Sequence, residues 1–186
     1  MPTNLEIKAR IKSVGLVLRT ARKYCTVGGV LSQTDTYFNV NRGRLKLREF
    51  SRTKAELIYY ERNEGKGERW SKYFISPVQN PALLKNLLTN ALGMRVIVRK
   101  SRRLFFYRGA RIHIDSVFRL GHFIEVEAIV TKSMNEARSV FAEIIQLFTI
   151  EKNSSIDCSY ADLLEKGAKK NGSLEKKARH AGLAAR

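Results

Sequence analysis

The sequence predicts an α+β domain that is mainly β: an eight-stranded antiparallel barrel, closed into a tunnel, with a charged interior and helices packed outside. The first observation is that residues 4–12 alternate between apolar and polar side chains without a break, which is the period of a strand with two different faces. The second is that later strands repeat this alternation with charges on one face. The third is the number of strands, since at least eight would leave exposed edges in an open sheet, whereas closure removes the edges and creates an interior.

Length and composition indicate one folded domain. At 186 residues and 44% hydrophobic, the chain can bury a single core. We expect this domain over residues 1–166 and a basic, flexible tail over residues 167–186, where large apolar side chains are few. No stretch approaches the roughly 18 apolar residues of a membrane span, and the start of the chain does not resemble a secretory signal. We therefore expect no membrane partner and a cytoplasmic location, or a nuclear one.

Charge is the main compositional feature, and sulfur or zinc chemistry is not indicated. The net charge of +18 and the pI near 10.3 predict contact with polyanions: nucleotides, nucleic acid, polyphosphate or an anionic membrane surface. Cys25 and Cys158 are far apart, and His113, His122 and His180 form no zinc pattern with them. We expect reduced thiols.

After the first strand, the first half of the chain predicts a short helix followed by four strands. Ser13 is a candidate N-cap for a helix that runs to about Cys25, and Gly28-Gly29 is expected to end the connection. Strands are predicted at 30–40 and 44–50, joined by a tight turn, and then at 55–62 and about 69–76, joined by the loop Gly65-Lys66-Gly67. The apolar stripe of the helix comprises Val14, Leu16, Val17, Leu18 and Ala21.

The second half predicts two longer helices, three strands and a short last helix. A helix starts near Pro81 and stops at Gly93, and another covers about 134–148. Strands are expected at about 94–108, 110–117 and 123–130, and the last helix surrounds residues 160–164. The apolar stripe of the helix that starts near Pro81 comprises Leu83, Leu84, Leu87, Leu88 and Leu92.

If the helices cover the apolar faces of the strands, the charged faces point into the barrel. Burying so many charges requires that they pair and stay partly hydrated, or that a highly charged ligand lies among them. The candidate cations are Lys8, Arg10, Arg44, Lys46, Arg48, Arg62, Lys100, Arg102 and Arg111, and the candidate anions are Glu6, Asp115, Glu125 and Glu127.

These residue types favour a metal-assisted site for a triphosphate. Cations on several strands can bind the oxygens of a phosphate chain, arginines through forked pairs of donors and lysines as point charges. Clustered carboxylates suit a hard cation, Mg²⁺ or Mn²⁺. The metal would neutralise the terminal phosphoryl group, and the cations would stabilise charge that develops on the leaving oxygens.

The chain resembles the CYTH superfamily of triphosphate tunnel metalloenzymes over about residues 4–165. That group includes class IV adenylyl cyclases, thiamine triphosphatases, inorganic triphosphatases and RNA 5′-triphosphatases. The resemblance lies in Asn4-x-Glu6-x-Lys8, Leu45-Lys46-Leu47-Arg48, Lys100-Ser101-Arg102, His113-Ile114-Asp115, Leu120-Gly121-x-Phe123-x-Glu125-x-Glu127 and Ser159-Tyr160-x-Asp162-Leu163-Leu164.

The resemblance implies an eight-stranded tunnel with Mg²⁺ or Mn²⁺ on its glutamates, a small triphosphate substrate, and a monomer or homodimer. Asp115 and Lys46 would be catalytic, Asp115 as a metal or catalytic carboxylate. The metal ligands would be Glu6, Glu125 and Glu127, and the phosphate ligands Lys8, Arg10, Lys46, Arg48, Arg62, Lys100 and Arg102.

The sequence departs from the family pattern at Asn4, where the opening Glu-x-Glu-x-Lys signature has its first glutamate. An amide oxygen can ligate a hard cation but brings no charge, so metal affinity should fall. Arg69 also stands at a position where members of the family often have a lysine. Three functions therefore stay open: a metal-dependent triphosphatase, possessing full or weakened activity; a class IV adenylyl cyclase; and a binding protein for RNA or polyphosphate that uses its basic surface and tail without catalysis.

Overall fold

The computed structural model describes residues 3–62, 69–130 and 133–168. Eight strands alternate there with helices in an order close to the one that the sequence predicts. The elements are β1 (Thr3–Arg10), α1 (Val14–Tyr24), β2 (Thr26–Phe38), β3 (Arg44–Glu49), β4 (Ala55–Arg62), β5 (Arg69–Val78), α2 (Pro81–Leu92), β6 (Met94–Tyr107), β7 (Ala110–Val117), β8 (Gly121–Ile129), α3 (Met134–Leu147), a 3₁₀ turn (Lys152–Ser154) and α4 (160–168).

All neighbouring strands pair in antiparallel fashion, in the order β1-β5-β4-β3-β2-β6-β7-β8. β8 pairs in turn with β1, so the ladder returns to its first strand and forms a barrel. The prediction of a mainly β fold with an eight-stranded antiparallel sheet and helices outside is confirmed.

The strand register places oppositely charged residues directly across from each other. Lys8 lies opposite Glu125, and Arg102 lies opposite Asp115. His113 is also opposite Glu125, on the other side of β8. Because side chains alternate along a strand and directly opposed residues share a face, these pairs all belong to one surface of the sheet.

The opposite surface of the sheet carries the hydrophobic core beneath α1 and α3. Leu5, Ile112 and Val126 are fully buried there, together with Ala21 of α1 and Ile144 of α3. Burying an aliphatic side chain of this size contributes about 1.5–3 kcal/mol. The helices therefore hold the barrel from outside and leave its charged surface facing inward.

α2 covers a second apolar cluster, but with a narrower stripe than the sequence predicts. Leu84 and Leu88 pack against Phe38 and Leu47, whereas Leu83, Leu87 and Leu92 are exposed. Residues four apart lie on one face of a helix, and the sheet is reached by the row that contains Leu84 and Leu88. Leu92 continues this row but is the last residue of α2 and is exposed. Leu16 of α1 is exposed as well.

The expected connection at Gly28-Gly29 is part of β2, which begins at Thr26. The pairing with β6 shifts register between Val27 and Gly29, and Gly29 has φ +117°, which glycine adopts without steric cost. A Cβ on Gly28 would lie 2.6 Å from the Phe106 ring. These glycines therefore allow a bulge and close packing inside a strand instead of ending one.

Two predictions fall at the limits of the described residues. The loop Gly65-Lys66-Gly67 and the chain after residue 168 lie outside them. The expected start of the tail at residue 167 lies within α4, which runs to residue 168. Among the helices described, none has the length and apolar character needed to cross a membrane.

Candidate functional site

The barrel surrounds a cavity of about 380 Å³ to which all eight strands and the start of α4 contribute side chains. Its lining combines charged groups with tyrosines, as the alternation of the strands predicts. The ionisable lining residues are Glu6, Lys8, Tyr37, Lys46, Arg48, Glu56, Tyr60, Tyr73, Lys100, Arg102, Arg111, His113, Glu125, Glu127 and Tyr160.

The first cation pair of the cavity is anchored by Asp35, a buried residue of β2. Arg48 donates to both oxygens of Asp35 at 2.8 Å, and Lys46 Nζ lies 2.9 Å from Oδ2. Burial alone would raise the pKa of Asp35, but the charges of Lys46 and Arg48 hold this pKa well below its usual value. Asp35 is therefore a carboxylate, and it fixes both cations.

The second cation pair repeats this arrangement on β6. Arg102 Nε and Nη2 donate to Asp115 Oδ1 and Oδ2 at 2.8 and 2.7 Å, and Lys100 Nζ lies 3.9 Å from Oδ2. Burial and the charge of Arg102 lower the pKa of Lys100 to about 7. Burial and Arg48 lower that of Lys46 to about 8. A polyanionic ligand would offset the repulsion among these cations and favour the charged form of both lysines.

Tyr160 connects α4 to the second cation pair, Lys100 and Arg102, through Asp115. Its hydroxyl donates to Asp115 Oδ2 at 3.0 Å, and Lys8 Nζ lies 4.3 Å from the centre of its ring. A capping box places the residue: Ser159 Oγ accepts from Asp162 N–H at 3.2 Å, and Asp162 Oδ2 accepts from Ser159 N–H at 2.9 Å. The last helix thus forms part of the cavity wall.

An acidic cluster lies beside the cations. Ligand atoms of His113, Glu125 and Glu127 all lie within 4.8 Å of one another. Glu125 contacts Lys8 at 3.2 Å and Glu127 contacts Arg111 at 2.7 Å. Burial alone would raise the pKa of both glutamates. The charges of Lys8 and Arg102 lower the pKa of Glu125, and those of Arg111 and Arg102 lower that of Glu127, so both are ionised.

His113 has the properties of a metal ligand. Its Nδ1 is buried and has no hydrogen-bond partner among the residues that the structure describes, and it lies 3.6 Å from Glu125 and 3.7 Å from Glu127. Burial, aided by the charge of Arg102, lowers the pKa of the imidazole and favours its neutral form. Two carboxylates fit Mg²⁺ or Mn²⁺, and the added nitrogen favours a transition ion such as Mn²⁺ over Mg²⁺. The donor set therefore fits a divalent metal.

Some predicted site residues lie elsewhere. Arg10 is exposed at the end of β1, where it donates to Leu120 O at 3.0 Å and does not line the cavity. The alternation of β1 thus continues beyond the cavity. Arg44 pairs with Asp162 at 2.9 Å and likewise does not line it. The side chains of Asn4 and Arg62, and that of Arg69, lie outside the described residues.

Asp115 is also set apart from the cavity surface. It is fully buried, its oxygens accept from Arg102 and Tyr160, and it is not among the described residues that line the cavity. Its contacts are those of an anchor for Arg102.

Sequence reasoning missed Asp35, Tyr160 and the ligand character of His113. The spacing Gln33-x-Asp35-x-Tyr37 places these three side chains on one face, but threonines occupy the other face, so polarity does not distinguish the two. The capping box at Ser159 was the available signal for the position of Tyr160. His113 has its acidic partners on β8, and local spacing does not show them.

A family model described as the CYTH domain matches residues 3–160. A solved protein of Pyrococcus horikoshii has a TM-score of 0.77 at 18% identity, covering 86% of this chain and 98% of its own. A proposed adenylate cyclase of Vibrio parahaemolyticus gives 0.68 at 19% identity, covering 87% and 97%. A proposed adenylyl cyclase of Hippeastrum, described as having a dominant triphosphatase activity, gives 0.64 at 11%, covering 90% and 96%. At these identities the likeness concerns the fold, and curated proteins give no match.

Proposed function

This chain belongs to the CYTH domain family, and on that basis we propose that it is a metal-dependent triphosphatase that hydrolyses a small organic or inorganic triphosphate in its cavity. One observation carries the proposal: cations from three strands converge beside a carboxylate and imidazole cluster in the same cavity. These are the two components that hydrolysis of a phosphoanhydride requires.

Five cations would bind the phosphate chain. The pair with Asp35 uses two of the five donors of Arg48, and the guanidinium keeps others for phosphate oxygens. Because the aspartates hold the arginines in place before the ligand arrives, little ordering is needed on binding. The proposed phosphate ligands are Lys8, Lys46, Arg48, Lys100 and Arg102.

The acidic cluster would hold the metal. Glu125 and Glu127 would supply carboxylates and His113 a nitrogen. Glu6, the third predicted ligand, lines the same cavity and lies directly opposite Glu127 in the strand pairing. When bound, Mg²⁺ or Mn²⁺ would neutralise charge on the terminal phosphoryl group.

Of the two predicted catalytic residues, Lys46 is among the described residues that line the cavity and Asp115 is not. The ammonium group of Lys46 would stabilise charge on the leaving phosphate oxygens. We assign Asp115 to positioning Arg102, because both of its oxygens already accept hydrogen bonds.

The test is release of phosphate and pyrophosphate from tripolyphosphate, thiamine triphosphate, ATP and 5′-triphosphorylated RNA, with Mg²⁺ or Mn²⁺. We expect orthophosphate from at least one substrate. Lys46→Ala and Glu125→Ala should each lower kcat/KM by at least about a hundredfold, equivalent to about 2.7 kcal/mol. Lys54→Ala is the control, since Lys54 is exposed in the β3–β4 turn. Wild-type rates in both cavity variants would refute the proposal.

Class IV adenylyl cyclase activity is the second candidate. Tyr37, Tyr60 and Tyr73 line the cavity and offer aromatic faces on which a purine can stack. The same assay separates the two activities, because a cyclase makes cyclic AMP and pyrophosphate from ATP. If no substrate turns over but tripolyphosphate binds, the chain is a polyphosphate-binding member of the family.

A further inference from the structure

Strand β6 carries cations on both of its faces. Lys100 and Arg102 line the cavity, whereas Arg99 and Arg103 lie on the outer face. In the strand pairing, Thr34 lies opposite Arg99, and Val30 and Ile114 lie opposite Arg103. Within residues 3–62, 69–130 and 133–168, neither outer arginine has a carboxylate partner. Their charge is therefore available to a ligand outside the barrel.

An outer groove of about 440 Å³ begins beside Arg99, between β6, the β7–β8 turn and α4. Phe118 and Arg119 of that turn line it. The backbone N–H of Phe118 donates to Arg99 O at 2.9 Å, and residue Phe118 as a whole is 65% exposed. The apolar part of the lining comprises Val96, Ile97, Leu120, Leu163 and Leu164. An exposed aromatic residue thus lies next to Arg99 and Arg119 above an apolar surface.

Arg95, a third arginine of the groove, is neutralised by acidic residues. Arg95 lies 2.7 Å from Glu165 and 3.0 Å from Asp162, so it contributes no net attraction. Arg119, like Arg99, has no carboxylate partner in the part of the chain that the structure describes. The groove therefore has a positive end that adjoins Phe118.

We propose that this outer groove binds single-stranded nucleic acid. Stacking of a base on an aromatic ring beside arginines that contact phosphates is the general mode of single-strand recognition. A duplex keeps its bases stacked internally, and inorganic polyphosphate has none, so neither would use Phe118. The site lies on the opposite face of β6 from the cavity and does not depend on triphosphate hydrolysis.

The charge of the C-terminal segment supports this ligand. α4 contributes Gly167 and Ala168 to the groove lining, and the sequence continues with Lys169, Lys170, Lys176, Lys177 and Arg179 against a single glutamate, Glu175. A nucleic acid longer than the groove therefore has further positive charge within reach.

The experiment is fluorescence anisotropy of the full chain with a labelled 20-nucleotide RNA, beside DNA of the same sequence, an RNA duplex and polyphosphate. The double variant Arg99→Ser/Arg119→Ser should weaken single-strand binding at least tenfold. It should also reduce the log-log salt slope by about 1.4, since each lost phosphate contact on a single strand changes it by about 0.7. Phe118→Ser should weaken RNA binding about fivefold or more and leave the salt slope and polyphosphate binding unchanged.

The matched control is Arg52→Ser/Lys54→Ser, which removes the same charge from the exposed β3–β4 turn. It should change RNA affinity less than threefold. Equal losses in the two double variants would show general attraction to a basic protein and overturn the proposal. The proposal would also be overturned if the Phe118→Ser variant bound RNA with wild-type affinity. The same result from a Phe118→Leu variant of unchanged melting temperature would overturn it as well.

Discussion

Arg48 and Asp35 lie directly opposite each other on β3 and β2 and share two parallel hydrogen bonds of 2.8 Å. Arg102 and Asp115 repeat this relationship on β6 and β7. In both cases a lysine two residues before the arginine faces the same aspartate. Two Lys-x-Arg segments are thus fixed by two buried carboxylates, and the cation set of the cavity is assembled before any ligand binds.

Asp35→Asn should destabilise the fold by about 3–5 kcal/mol, because Lys46 and Arg48 would remain buried without a charged partner. Urea unfolding at pH 7 measures this, with the exposed Asp157→Asn as the control. The pKa of Asp35 is depressed in the native state, so its contribution is present above the unfolded pKa. The difference between variant and wild type should therefore begin to shrink as the pH falls below about 4 and keep shrinking down to the native pKa of Asp35.

Tripolyphosphate should recover part of that loss in Asp35→Asn, since its oxygens can replace the carboxylate. A loss below about 1 kcal/mol at pH 7 would show that the two cations do not depend on Asp35.

The strands with clean alternation were predictable from the sequence. In β1 and β3 every second residue is charged or strongly polar, and in β8 Glu125 and Glu127 alternate with apolar residues; this pattern predicts both the strands and their inward faces. The CYTH resemblance followed in part from the same strands, because three of its six motifs lie on them and the other three lie on β6, β7 and at the start of α4. The overall sheet and its charged interior are therefore encoded in short segments.

The roles and positions that the sequence did not predict depend on contacts between elements, which residue spacing within one element does not show. Asp35 and His113 acquire their roles from partners on neighbouring strands, and pairing distance is not visible in residue spacing. Arg10 continues the alternation of β1 past the end of the cavity, so the pattern predicts its face but not its depth. Leu83 and Leu87 follow helical spacing, yet only one row of α2 reaches the sheet.

His113→Gln should lower Mn²⁺ affinity at least tenfold and change Mg²⁺ affinity less, because the substitution removes a nitrogen ligand that Mg²⁺ uses less readily. Glu125→Gln should lower the affinity for both ions. Mn²⁺ titration followed by electron paramagnetic resonance reports binding without turnover, and His122→Gln, at an exposed position near the start of β8, is the control. Unchanged Mn²⁺ affinity in His113→Gln would exclude the imidazole from the site.

Tripolyphosphate affinity should fall as the pH rises from 7 to 9. Burial lowers the pKa of Lys100 to about 7 and that of Lys46 to about 8, so both lose charge in this range in the free protein. A bound polyanion favours the charged lysines, and binding should therefore take up protons. Calorimetry in two buffers of different ionisation enthalpy measures the uptake, which Lys46→Arg should reduce because arginine stays charged. Equal proton uptake in both proteins would contradict the pKa of Lys46.

Asn4→Glu should raise the affinity for Mg²⁺ and Mn²⁺ by at least tenfold and increase turnover. β1 places residue 4 two positions before Glu6, which lies opposite Glu127 in the strand pairing, and a carboxylate there would add a negative charge near the proposed metal site. Metal titration and phosphate release from tripolyphosphate, measured on the same preparations, separate binding from catalysis. The control is Asn4→Gln, which lengthens the side chain without adding charge. If Asn4→Glu leaves metal affinity at the level of Asn4→Gln, residue 4 does not belong to the metal site. If the natural protein binds tripolyphosphate without hydrolysing it and Asn4→Glu hydrolyses it, the natural asparagine makes this chain a polyphosphate-binding protein built on a hydrolytic scaffold.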